Sequence, residues 1–165
     1  MSNVNGLTGL ANLGNTCFIN SCMQVLSHTY ELNDFLDKDN GNYKNKLSAY
    51  RDKQYIIDSK LLVEWDKLRK LMWEENRIIS PGGFLKAIQY VAKKKDRDIF
   101  TGYAQNDLPE FLLFIIDTFH NGMRREVDMV INGNVKNKTD KMAINCFEMM
   151  KSMYSKEYSE FLDIF

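Results

Sequence analysis

Residues 6–26 read GLTGLANLGNTCFINSCMQVL, a polar, glycine-bearing loop that runs directly into an amphipathic helix. Five residues recur at the spacing of one buried helical stripe, namely Ile19, Cys22, Met23, Leu26 and Tyr30. The stripe predicts a helix over residues 16–30. Thr16 is the expected N-cap, which puts Cys17 at the first position of this helix.

The rest of the chain also has mostly helical patterning. Helices are predicted over residues 54–75, 80–95, 106–120 and 139–150, the last capped by Thr139 and Asp140, with a short one within 154–165. Residues 37–46 are polar and indicate a loop. The dipeptide Asn132-Gly133 predicts a β-hairpin over residues 127–135. The fold class is therefore expected to be mainly α, with little sheet.

Composition and charge restrict the possible functions. The chain has 165 residues, with 22 Lys+Arg and 22 Asp+Glu, and 44% of its residues are hydrophobic, which is typical of a globular domain. Because the net charge is zero, neither nucleic acid nor a membrane surface is an expected partner. The longest apolar run, Phe111–Ile116, is too short for a membrane helix, and residues 1–10 lack the pattern of a signal peptide. A cytoplasmic or nuclear location is expected.

The cysteines are best considered one at a time. Cys17, Cys22 and Cys146 include no Cys-x-x-Cys pair, so neither a disulfide framework nor a zinc ribbon is expected. A metal site built from Cys17, Cys22 and His28 lacks the spacing of a closed four-ligand site. We therefore expect no metal and no cofactor.

Cys17 is a candidate nucleophile because of its place at a helix start. The N-terminus of a helix offers unpaired backbone N–H groups and a partial positive charge, which favour a thiolate over a thiol and can also stabilise an oxyanion. Gly9 and Gly14 allow the loop backbone to approach a substrate closely. The amides of Asn12 and Asn15 can donate hydrogen bonds to developing negative charge.

Two other interpretations of this stretch remain open. Cys17 can be a small buried core residue, as isolated cysteines near helix starts commonly are. The spacing Gly9-x4-Gly14-Asn15-Thr16 also differs by one residue from a phosphate-binding loop, but Asn15 stands where the phosphate-binding lysine is needed, and no strand-like run precedes it.

Residues 9–21, GLANLGNTCFINS, together with Gln24 and Leu26, resemble the cysteine box of the ubiquitin-specific proteases. These enzymes are papain-like thiol hydrolases with a palm, a helical thumb and fingers, and they cleave the bond after the C-terminal glycine of ubiquitin. The resemblance implies that Cys17 is the nucleophile and that Asn12 is the side-chain donor to the oxyanion. It also implies ubiquitin or ubiquitinated proteins as partners.

A second segment, QNDLPEFL at residues 105–112, is similar to the glutamine box of the same family. The similarity implies that Gln105, Asp107 and Glu110 help to bind the extended ubiquitin tail. Asn106 and the pair Leu108-Pro109 depart from the usual residues of that box. Taken without the family, Asp107 is an ordinary carboxylate of a first helical turn and Glu110 a solvated one.

A thiol protease also needs a base, normally a histidine. His28 lies at the far end of the helix that Cys17 opens, and His120 lies at the end of the helix over 106–120, so neither is assigned as catalytic. The family's fingers and histidine box have no counterpart here. The resemblance therefore implies that residues 1–165 are the helical thumb half of a papain-like (α+β) catalytic domain, truncated before the fingers, with a C-terminal half carrying the histidine as a further partner.

Two other kinds of protein fit the same sequence. One is a non-catalytic module that binds the ubiquitin tail, inhibits a partner enzyme or survives as a remnant. The other is a helical protein in which Cys17 is buried and inert to small alkylators.

Overall fold

The computed structural model describes residues 5–102 and 104–165, without the side chains of residues 39 and 40. This part of the chain is mainly α, which confirms the expected fold class. The helices are α1 (Cys17–Ser27), α2 (Tyr30–Gly41), α3 (Ile56–Glu74), α4 (Gly82–Lys94), α5 (Leu108–Met123), α6 (Lys138–Tyr154) and α7 (Phe161–Ile164). Short 3-10 turns cover Asn42–Lys46, Ser48–Tyr50, Lys53–Tyr55 and Asp98–Phe100. Strands β1 (Gly9–Leu10) and β2 (Ile78–Ile79) form a small sheet.

Helix α3 lies at the centre of the core, where it packs against both α4 and α5. Its Trp65 is completely buried, with its ring 5.8 Å from that of Phe84 on α4 and 6.3 Å from that of Phe119 on α5. Replacing a buried tryptophan with alanine typically costs about 3–5 kcal/mol. The contacts of Trp65 therefore contribute strongly to holding α3, α4 and α5 together.

A polar cluster, buried except for the exposed Asp37, joins α3 to α2 and the turn that follows. Arg69 of α3 donates to Asp37 Oδ2 at 2.9 Å and to Asp66 Oδ1 at 2.8 Å. The Tyr43 hydroxyl donates to Asp66 Oδ2 at 3.0 Å. Burial, reinforced by the nearby Asp66 carboxylate, raises the pKa of Tyr43, so its hydroxyl stays protonated and remains a donor. Helix α2 is therefore held on the core by its buried Leu32 and Leu36 and by the ion pair of Asp37 with Arg69.

The small sheet positions the loop that precedes α1. β1 pairs with β2 in parallel, and Gly9 N and Ala11 N donate to Arg77 O at 2.8 Å and Ile79 O at 2.9 Å. The sequence does not predict β1, because two residues are too few for a detectable alternation of apolar and polar side chains. The pairing anchors the loop to a segment far away in the sequence.

The predicted hairpin over residues 127–135 is wrong. No strand pairing is found within these residues, although Gly133 does adopt a positive φ of 136°. Instead Arg125 pairs in an antiparallel bridge with Tyr158, and Val127 N donates to Ser155 O at 2.8 Å. The backbone at the start of the proposed hairpin is thus bonded to the segment that follows α6, and this tertiary pairing replaces the local one.

Three other predictions about local structure need correction. The helix over residues 16–30 ends at Ser27, and a second helix, α2, begins at Tyr30. The polar stretch 37–46 is helical, first as the end of α2 and then as a 3-10 turn. The cap of α6 is Asn137, whose Oδ1 accepts from Asp140 N at 2.9 Å.

None of the helices within the described residues is long and apolar enough to cross a lipid bilayer.

Candidate active site

Cys17 is the first residue of α1 and is exposed to solvent. The first hydrogen bond of the helix runs from Asn20 N to Thr16 O at 2.9 Å, so the N–H groups of residues 17–19 precede the helical ladder. These groups and the helix dipole favour negative charge at this end. The exposure of Cys17 contradicts the interpretation of this residue as a buried core cysteine. Cys22, one turn further on, is the buried one, and burial raises the pKa of its thiol to about 11.

The loop before Cys17 is organised around the side chain of Asn12. Its Oδ1 accepts from Gly14 N at 3.1 Å, from Thr16 N at 3.2 Å and from Thr16 Oγ1 at 3.0 Å. Three donors on one atom identify it as the amide oxygen and fix the orientation of the group. Among the described residues, no group accepts from the amide nitrogen, so its two donors are free to bind a ligand.

Thr16 occupies the N-cap position of α1 but does not act as predicted. Its side chain makes no capping bond to the helix and instead accepts from Leu13 N at 3.0 Å while donating to Asn12. The chain reverses at Gly14, with φ 100°, and at Asn15, with φ 50°. The hydroxyl therefore stabilises the loop, and the N–H groups at the start of α1 stay uncapped.

Two residues that the sequence analysis did not assign hold this loop on α1. Asn20 Nδ2 lies 3.2 Å from both Leu10 O and Ala11 O, and Gln24 Nε2 donates to Thr8 O at 2.8 Å. Both belong to the cysteine box, and their spacing of four residues puts them on one face of the helix. That spacing is the signal that could have identified them as positioning residues.

The glutamine box meets the cysteine box through two aromatic rings. Phe18, the residue after Cys17, packs edge-to-face on Phe111, the residue after Glu110, with 5.2 Å between ring centroids. The thiol of Cys22 also lies 4.0 Å from Leu108 O, at the first residue of α5. The two motifs that the sequence singled out are therefore neighbours in space.

The polar side chains of the glutamine box point into solvent. Gln105, Asp107 and Glu110 are exposed, and within the described chain none of them has a side-chain hydrogen bond or ion pair. Asn106, by contrast, donates to Ile99 O at 2.8 Å and to Ala104 O at 3.0 Å. This residue, which departs from the family pattern, thus holds the loop, while its three polar neighbours remain available to a ligand.

Both histidines of the sequence form hydrogen bonds away from Cys17. His28 Nδ1 lies 2.8 Å from Gln24 O, and the ring packs on Trp73 at 5.3 Å, roughly 16 Å along α1 from Cys17 at ~1.5 Å per residue. His120 Nδ1 lies 2.8 Å from Ser159 Oγ. Neither ring bonds to Cys17 in the described part of the chain, so neither acts as its base in this arrangement.

The helix dipole alone would favour the charged form of His120 at the end of α5, but the surroundings of the ring do not. Burial, together with the nearby Arg124, lowers the pKa of His120, so the neutral ring is favoured at this helix end. Across the described residues, no group of three or more His, Cys, Asp or Glu side chains is arranged to hold a metal ion.

Known proteins match this chain over most of its length. The family model for ubiquitin carboxyl-terminal hydrolase matches residues 8–160. Ubiquitin carboxyl-terminal hydrolase 19 of Homo sapiens is 39% identical over 124 residues, which cover 73% of this chain and 8% of that protein. Ubiquitin carboxyl-terminal hydrolase 2 of Bos taurus is 38% identical over 126 residues, 74% of this chain and 19% of that protein.

A more distant relative extends the matched region. Ubiquitin carboxyl-terminal hydrolase Usp2 of Drosophila melanogaster is 36% identical over 141 residues, which cover 85% of this chain and 13% of that protein. The chain therefore spans no more than 19% of the length of these three relatives.

Proposed function

This chain belongs to the ubiquitin carboxyl-terminal hydrolase family, and we propose that it supplies the nucleophile side of a thiol-dependent deubiquitinase. One observation carries the proposal. Cys17 is exposed at the first position of a helix, next to a loop in which the oxygen of Asn12 is fully engaged and its amide donors are free. A buried structural cysteine needs neither feature.

The proposed reaction is acyl transfer at the C-terminal glycine of ubiquitin. The Cys17 thiolate forms a bond to the carbonyl carbon, and the resulting oxyanion accepts from the Cys17 N–H and the Asn12 amide. Collapse of this intermediate breaks the C–N bond, and the amine leaves with the proton that the base has taken from the Cys17 thiol. Water then cleaves the thioester, which releases the ubiquitin carboxylate and regenerates the thiol.

Gln105, Asp107 and Glu110 are proposed to bind the tail that leads to the reacting carbonyl. Support comes from their position at the start of α5, which contacts α1 beside Cys17 through Phe18 and Phe111. Exposed carboxylates and an amide without protein partners can pair with the backbone and cationic groups of an extended peptide.

The base is proposed to come from outside these residues, since both histidines are bonded elsewhere. In this proposal, residues 1–165 form the helical thumb part of a catalytic domain, and a further segment or a second polypeptide brings the histidine. The same observation favours a second candidate, a non-catalytic module that binds the ubiquitin tail. A cytoplasmic or nuclear location stays a prediction.

The test uses ubiquitin that carries a thiol-reactive electrophile at its C-terminus, with the adduct measured by intact mass. Cys146 provides the matched control because it is also exposed but lies on α6. We expect one adduct on the wild-type chain and on Cys146→Ala, and none on Cys17→Ala. An adduct that survives in Cys17→Ala, or none at all while iodoacetamide still modifies Cys17, contradicts the proposal.

A binding titration separates the two candidates. A module that only binds the tail gives saturable binding of ubiquitin that is lost when its two C-terminal glycines are removed, without adduct formation. An enzyme half gives both the binding and the adduct.

A further inference from the structure

An open groove of about 630 Å³ lies between α3, α4 and the 3-10 turn Ser48–Tyr50. Its apolar lining includes Ile57, Val63 and Ala87, and two tyrosines flank it. Tyr50 is 72% exposed and Tyr90 is 52% exposed, although both carry large rings. The volume falls within the roughly 300–1,000 Å³ range of ligand-binding clefts. Exposed tyrosines beside an apolar surface are typical of protein interfaces.

The rim of the groove is cationic. Lys60 and Lys86 line it, and Lys94 lies over the ring of Tyr90, 6.0 Å from its centroid. Within the described residues, none of these three lysines has an ion-pair partner. A further lysine of the lining, Lys67, forms an ion pair with Glu64 at 2.6 Å. These three unpaired lysines therefore give the rim of the groove a local positive charge, although the net charge of the whole chain is zero.

The groove is separate from the cysteine loop. The loop meets α4 at its first residue, where a Cβ placed on Gly82 lies 3.6 Å from Leu13. Tyr90 is eight residues further along α4, roughly 12 Å away at ~1.5 Å per residue. None of the residues proposed for the active site lines the groove. A ligand can therefore occupy it independently of a ubiquitin tail.

We propose that this groove binds an acidic amphipathic helix of a protein partner. The lining runs along α3 from Ile56 to Lys67, roughly 16 Å, which is the length of about three helical turns. A helix of that length places apolar side chains at i, i+3 or i+4, and i+7 into such a groove. Glutamate or aspartate residues on its flanks then meet the unpaired lysines, and this charge complementarity selects an acidic partner over a basic one.

The first experiment measures fluorescence anisotropy with a designed probe, a fluorescein-labelled helical peptide with leucines at those three spacings and glutamates on both flanks. Two matched peptides carry lysine in place of each glutamate or serine in place of each leucine. We expect the acidic peptide to bind with a Kd of about micromolar order, and both controls to bind about tenfold or more weakly. Affinity should fall as salt rises, since the lysines are exposed.

Variants of the protein locate the site. Two double variants should each weaken binding of the acidic peptide by about tenfold or more. One carries Tyr50→Ala and Tyr90→Ala, and the other carries Lys60→Glu and Lys86→Glu. Tyr30→Ala is the matched control, as Tyr30 is 63% exposed but lies on α2, and Lys138→Glu with Lys141→Glu on α6 is the matched charge reversal. Neither control should change the Kd by more than about twofold.

The proposal is overturned if acidic and basic peptides bind equally, if the groove variants bind as the wild type does, or if no saturable binding is found below about 1 mM. Cys17→Ala should bind the peptide like the wild type. The result therefore stands or fails independently of the proposed thiol chemistry.

Discussion

Substituting Asn12 separates two roles that the structure gives to one amide. Oδ1 accepts the three hydrogen bonds that hold the loop, and the amide nitrogen is free for the oxyanion. Asn12→Asp keeps an acceptor oxygen of similar shape, removes the two N–H donors and adds a negative charge that also opposes an oxyanion. Asn12→Ala removes both the acceptor and the donors, so the pair of variants distinguishes the folding role from the proposed chemical one.

The expected magnitudes follow from these contacts. Each hydrogen bond contributes about 0.5–1.5 kcal/mol net, and the loop is partly exposed, so Asn12→Ala should lower the free energy of unfolding by about 1–3 kcal/mol. Asn12→Asp should stay within about 0.5 kcal/mol of wild type, because a charged acceptor satisfies the same donors. Losing one oxyanion donor should slow acyl transfer by about 10²–10³-fold in Asn12→Ala. Asn12→Asp should be slowed at least as much, because its carboxylate also repels the oxyanion.

The assay is transfer of ubiquitin from a C-terminal alkyl thioester to Cys17, read by intact mass, alongside urea unfolding. Thioester exchange passes through an oxyanion, and its thiolate leaving group needs no proton from a histidine. If Asn12→Asp acquires ubiquitin as fast as the wild type, Asn12 is not the oxyanion donor. If Asn12→Ala unfolds at the wild-type urea concentration, the three bonds do not stabilise the loop.

Three further predictions concern a buried ring, the thiols and an ion pair. Phe111→Ala should lower the free energy of unfolding by about 3–5 kcal/mol, measured in urea, because its ring is fully buried between those of two other phenylalanines. At about pH 8, iodoacetamide should modify Cys17 but not Cys22, whose pKa burial raises to about 11, and peptide mapping that finds both alkylated in the native chain refutes this. The hydrogen bond from Arg69 lowers the pKa of Asp37 in the folded state, so its contribution is present above the unfolded pKa and is lost as the pH falls through the folded one. Urea midpoints between about pH 3 and pH 7 should therefore fall less steeply for Asp37→Asn than for wild type.

The helices with one clear apolar stripe could be predicted from the sequence. Helices α3 and α5 begin within two residues of their expected starts, since Trp65 and Phe111 each belong to a stripe that only a helix buries on one side. Helix α2 was not predictable in this way. Its buried or partly buried apolar set is short, Leu32, Phe35 and Leu36, and the ion pair of Asp37 with Arg69, which also holds it, joins residues far apart in the sequence.

The prediction of a hairpin at Asn132-Gly133 was wrong for a similar reason. A two-residue turn signal is local, whereas the backbone of Arg125 and Val127 found partners after α6. The predicted helix cap at Thr16 was also replaced by other bonds. Its hydroxyl bonds to Asn12 and Leu13 in the loop instead of capping the helix that follows.

The mainly helical fold, the membership of a hydrolase family and the position of Cys17 at a helix start could all be predicted from the sequence. Periodicity and short motifs are properties of neighbouring residues, so they need no knowledge of the packing. The folded structure was needed to show that the two boxes meet through Phe18 and Phe111. It also showed that the Asn12 oxygen is bonded within the loop while its donors are free, and that neither histidine contacts Cys17. The bonds of Asn12 and His28 are made within four residues along the chain, but which of several possible local partners each side chain takes was not evident from the sequence. The ring contact and the bond of His120 to Ser159 join residues far apart in the sequence, which compete with many other possible partners. That competition is settled only when the whole core packs at once.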